Sequence, residues 1–106
     1  MKFSTHNNRK IKITGTCFQG EIISSFQKLV DAFGQPLKSD FICYKSDAEW
    51  WVKFEDGKVA TIYNWKDGKN YLGKDGMKTE EIMNWHIGGR DKAIVERIIS
   101  ILEKTK

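Results

Sequence analysis

Cysteine, proline and histidine are scarce in this chain of 106 residues, which contains two, one and two of them. Cys17 and Cys43 sit in different segments without a C-x-x-C spacing, so they read as free thiols; a disulfide between them is left open. Neither His6 nor His86 has a second ligand at a metal-binding interval, and no metal or cofactor is expected. No apolar run approaches the roughly 20 residues that span a bilayer. The start of the chain also lacks the apolar stretch of a secretion signal, so a cytoplasmic protein with no membrane partner is expected. The phosphate loop G-x-x-x-x-G-K-[ST] and the dinucleotide pattern G-x-G-x-x-G are both missing, and no nucleophile pattern names a reaction.

What remains is an ordinary globular composition, 30% charged and 40% hydrophobic. It predicts a single domain over residues 1–106, with residues 1–9 as a loose N-terminal segment. The net charge of +4 is a lean only, but its distribution is uneven. Lys66, Lys69, Lys74 and Lys78 crowd one loop, while Lys2, Arg9, Lys10 and Lys12 crowd the amino end with no acid before Glu21. Such clusters attract a phosphate-bearing partner, or merely keep loops and strand edges soluble.

Residues 10–14 alternate polar and apolar and predict a strand, followed by a loop from Gly15 to Gly20. Phe26, Leu29, Val30 and Phe33 then recur at helical spacing. Ser24 and Gln27 are placed as a capping box, and Gly34 and Pro36 as stop signals. Residues 48–65 form a hairpin about Asp56-Gly57, read as a two-residue type I′ turn with Glu55 opposite Lys58. That register puts Trp50, Val52 and Phe54 on the core face with Val59, Thr61 and Tyr63, and Trp51 beside Ile62 on the other. Strand character returns over residues 82–87, Gly88-Gly89 break it, and Ile94, Val95, Ile98, Ile101 and Leu102 mark a second helix after Asp91. The expected fold is α+β: an antiparallel sheet of about four strands, in the order β-α-β-β-β-α, with two helices on one face.

The motifs Gly15-Thr16 with Gln19-Gly20, Phe33-Gly34-Gln35-Pro36, Ala48-Glu49-Trp50, Phe54-Glu55-Asp56-Gly57, Ala60-Thr61-Ile62-Tyr63-Asn64-Trp65-Lys66 and Trp85-His86-Ile87-Gly88-Gly89 occur in order. Together they resemble a family of small single-domain proteins encoded by bacteriophages and some large DNA viruses. The resemblance implies a viral accessory protein working in the host cytoplasm. It implies no catalysis. Trp51 departs from it, standing where an aliphatic residue is expected.

Closely spaced glycines let backbone N–H groups approach an anion, and Arg90 offers a planar fork for phosphate. If the loop at residues 15–20 lies near the strand end at Gly88, then Thr16, Gln19, Gly20, Trp85, His86, Gly88, Gly89 and Arg90 form an anion-binding mouth with aromatic rings for stacking. That predicts capture of a nucleotide-like small molecule, such as a signal of host defence. A second reading is an inhibitor that docks on a host protein through Trp51, Ile62 and Lys53, since aromatic side chains make hot spots. The charge also permits nucleic-acid binding, although no reading motif supports it. An enzyme would need His86 to find a partner such as Glu49, and the residues lean against it. A homodimer with a shared pocket would suit so small a domain.

Overall fold

Period-2 hydrophobicity in the hairpin and period-3.6 stripes in two helices meet in one core. The computed structural model describes residues 2–5, 11–37, 48–65 and 68–105; Cys43, His6, Arg9, Lys10 and Lys66 lie outside them. Five strands, β1 (Phe3–Thr5), β2 (Cys17–Ile23), β3 (Glu49–Phe54), β4 (Val59–Tyr63) and β5 (Asn84–Gly89), form one antiparallel sheet in the order β1-β3-β4-β5-β2. Helices α1 (Phe26–Phe33) and α3 (Ala93–Lys104) cover one face, and a single-turn helix, α2 (Lys69–Leu72), lies in the connection to β5. No described helix is long and apolar enough to cross a membrane.

The α+β class and the two helices on one face agree with the sequence reading, whereas the strand count and their positions do not. The extra strand, β1, falls within the segment expected to be loose. Residues 11–16 form a bend and turn, and β2 begins at Cys17, within the expected loop. Gly20 belongs to this strand, paired with Ile87, and a Cβ there would lie 3.2 Å from the Val95 side chain. Beside it, Gln19 is the extra residue of a bulge between Phe18 and Gly20, which breaks the alternation that would have marked the strand.

Helix α1 buries Leu29 and Phe33 and packs Phe26 and Val30 against the same cluster. Its cap is Ser25, one residue later than expected, whose hydroxyl accepts the Lys28 N–H at 3.1 Å. Gly34 ends the helix with φ +85°. Ile94, Ile98 and Leu102 of α3 close the core over Trp50, Val52, Ala60, Ile62, Trp85 and Ile87.

The hairpin turn corrects the register. The Phe54 N–H donates to Lys58 O at 2.8 Å and the Gly57 N–H to Phe54 O at 2.9 Å, with Gly57 at φ +88°. The loop therefore has three residues, 55–57, the form in which a glycine occupies the left-handed position. Trp50 consequently pairs with Ile62, and Trp51 with Thr61. A one-residue slip turns every β4 side chain over. Ala60 and Ile62 enter the core, while Thr61 and Tyr63 join Trp51 on the helix-free face.

The turn is also tied to α3. Arg97 donates to both carboxylate oxygens of Asp56, at 2.9 and 2.7 Å, and lies 5.0 Å from the Phe54 ring centroid. Lys58 reaches Asp91 at 2.9 Å. Hydrogen bonds from Arg97 pull the Asp56 carboxyl from the usual 3.8 down to about 2. A carboxyl lowered on folding stabilises above its unfolded value and loses that contribution as pH falls through its folded one. Acid unfolding of the wild type should therefore include a component between pH 3.8 and about 2 that Asp56→Asn removes. Parallel pH titrations of the two proteins by circular dichroism check this, and identical profiles would contradict it.

A candidate ligand pocket on the helix-free face

The corrected register assembles two rows of side chains across the helix-free face. Glu49 of β3 pairs with Tyr63 of β4, Tyr63 with His86 of β5, and His86 with Glu21 of β2. The neighbouring row runs Trp51, Thr61, Gly88, Phe18. Segment 11–16 is fastened beside these rows by Arg90, whose guanidinium donates to Thr14 O at 2.8 Å and to Lys12 O at 3.3 Å. The segment turns at Gly15, φ +83°, with the Thr16 hydroxyl donating to Ile13 O at 2.7 Å.

A cavity of about 220 Å³ lies where segment and rows meet. Gly88 and Thr61 form part of its lining, Tyr63 and Trp65 give it aromatic walls, and Ile13 and Thr16 approach from the segment, with Glu49 and Cys17 completing it. Gly88 has to be glycine here, because a Cβ would lie 2.3 Å from the Thr61 hydroxyl. Trp65 is 41% exposed and stacks on His86 at 6.4 Å with 25° between the planes. His86 is held by Glu21 at 3.0 Å and flanked by Phe18 and Tyr63. The Glu49 carboxylate accepts the Trp51 indole N–H. Burial pushes the Glu49 carboxyl above the usual carboxylate range, and the Trp51 bond partly offsets that.

Further along the same face, Lys12, Lys53 and Arg90 converge on Val59 around a second hollow. The two lysines are exposed, and neither has a carboxylate partner among the described residues. A larger hollow of about 620 Å³ lies on the opposite side, between α1, α3 and Phe3. Its size is not matched by chemistry: its charges are mixed, and its Arg97 is already committed to Asp56.

The residues expected at an anion-binding mouth are brought together only in part. The two glycine segments do adjoin, since Cys17 pairs with Gly89 and Phe18 with Gly88. Their backbones are spent on each other, however, and Gly88-Gly89 continue the strand they were expected to break. Trp85 is fully buried, its indole donating to Ser24 O at 2.9 Å, which removes it from the candidate site. Gly20 and Gly89 face α3, against Val95 and Ile94. Gln19 donates to Gly89 O at 2.9 Å, and Arg90 acts as the clamp described above. Thr16 and Gly88 do line the pocket, and His86 stands one row position beyond it. The expected patch of Trp51, Ile62 and Lys53 is divided, because Ile62 is fully buried in the core while the other two lie on the helix-free face. Tyr63 and Trp65 also line the pocket, which the sequence reading does not anticipate; the observed hairpin register places Tyr63 beside Glu49.

Comparison with known proteins yields no matching family model and no matching curated protein.

Proposed function

We propose that this is a non-enzymatic module that captures a nucleotide-derived small molecule on the helix-free face of its sheet. The observation that carries this reading is the pairing of an aromatic, carboxylate-bearing pocket with two lysines that have no carboxylate partner among the described residues, on one face. Glu49 and Lys53 are four residues apart on one strand, about 13 Å at the rise of extended chain, a span suited to a nucleotide with its base in the pocket and its phosphate at the lysines. Stacking on the exposed Trp65 ring would supply affinity for the base. His86 is paired with Glu21 and surrounded by the rings of Phe18, Tyr63 and Trp65. The resemblance to phage and large-virus proteins supports a counter-defence role in the host cytoplasm, the captured molecule being a host signal.

Binding is tested by thermal shift and calorimetry against mononucleotides, cyclic dinucleotides and ADP-ribose derivatives, since a ligand specific to the folded state raises its transition. Trp65→Ala should weaken binding on the order of tenfold or more, the usual worth of one stacked base. The double variant Lys12→Ala/Lys53→Ala should weaken it and flatten its salt dependence, with a near-native melting temperature because both side chains are exposed. No shift with any of these ligands would overturn the reading.

A second reading, docking on a host protein, is favoured by a separate observation. Edge strand β2 exposes Phe18 and Ile23 at 53% and 78%, a better apolar surface than the divided Trp51–Ile62 patch. Silence of the nucleotide panel would direct the search there.

A further inference from the structure

Within the pocket, Glu49 is the only charged side chain among the described lining residues. Its Oε2 accepts the Trp51 indole N–H and keeps a second lone pair, and no described residue donates to Oε1. The group is half-buried and lines the pocket together with Tyr63 and Trp65, whose rings meet edge-to-face at 6.1 Å. A carboxylate removed from water with one donor in place gains from any ligand that brings more. A planar ring laid against the exposed Trp65 side chain would bring one edge toward it.

Resting on the nucleotide-capture reading above, we infer that Glu49 reads the base: the pocket selects a ring presenting two adjacent N–H donors, as guanine does, over adenine. Guanine offers N1–H and its 2-amino group to the two carboxylate oxygens. Hypoxanthine offers N1–H alone. Adenine turns the N1 lone pair toward the carboxylate, and that repulsion is relieved only when Glu49 is protonated. Lysines 12 and 53 hold the phosphate in every case, so they set affinity and not the choice of base.

The test is calorimetry on the full chain with GMP, IMP and AMP as probes. GMP should bind more tightly than AMP on the order of 10- to 100-fold, the worth of a charge-assisted hydrogen bond, with IMP between them. Glu49→Gln, whose amide can donate to adenine N1 and accept from its 6-amino group, should erase or reverse the preference, weakening GMP and strengthening AMP. Glu49→Asp keeps the charge but withdraws it from the ring, and should give the same loss of preference if the Gln variant does not fold. Lowering the pH toward the range where Glu49 protonates should shrink the preference in the wild type and not in Glu49→Gln. Tyr63 and Cys17 line the same pocket, with His86 and Glu21 beyond in the row, and all four remain in that variant as the control. AMP binding as tightly as GMP, or a preference that survives in Glu49→Gln, would overturn the inference while capture itself stands. If none of the three binds and the wider panel is also silent, capture fails and the inference with it.

Discussion

Trp85→Ala should lower the free energy of unfolding by about 3–5 kcal/mol, the cost of emptying a large aromatic site in a core. The ring is fully buried, meets Trp50 edge-on at 5.4 Å, and lies 6.4 Å from Phe26. Its indole also donates to Ser24 O at 2.9 Å, so truncation strands a carbonyl that joins β2 to α1. A buried acceptor left without its donor adds about 1–3 kcal/mol to such a loss. Phenylalanine at this position restores most of the volume but not the donor, and should recover only part of the stability. Denaturant unfolding of the three proteins measures both terms. A loss below about 1 kcal/mol for the alanine variant would mean that the core does not close around this ring. Trp65→Ala, on the opposite face, serves as the comparison: it should change binding far more than stability.

The four tryptophans thus divide evenly, Trp50 and Trp85 into the core and Trp51 and Trp65 onto the helix-free face, and the sequence was only half explicit about this. The stripes of α1 and α3 and the inward face of β3 were legible because their periods are unambiguous. Strand β4 offered no such guide: Val59, Ala60, Thr61 and Ile62 are all buried, so both parities look alike. The register then depended on the turn. Asp56-Gly57 fits a two-residue loop as well as a three-residue one, since both need a glycine with positive φ. That single ambiguity hid the pairing of Glu49 with Tyr63, and with it the pocket. The glycines misled in another way. Gly20 and Gly89 carry the look of a binding loop, yet their smallness serves the close approach of α3, a relation between segments far apart in the chain that no local pattern displays. Thr16 and Gly88, singled out in the sequence for anion binding, line the pocket instead.

Gly89→Ala should destabilise the fold by about 1–3 kcal/mol, the typical cost of overpacking a closed core. The added Cβ would lie 2.6 Å from Ile94 Cγ2 and 3.3 Å from Ile94 Cβ. Ile94 is itself 2% exposed, and a β-branched side chain in a helix has one strongly preferred rotamer, so it has no free rotation by which to step aside. Helix α3 must move off the sheet instead, and it carries Arg97, the anchor of the hairpin tip. Gly89 is not among the glycines with positive φ, so its cost belongs to the contact and not to backbone strain. A double-mutant cycle separates these causes. In an Ile94→Ala background, where Cγ2 is gone, Gly89→Ala should lose most of its effect. An undiminished cost there would show that Ile94 is not what requires glycine at this position.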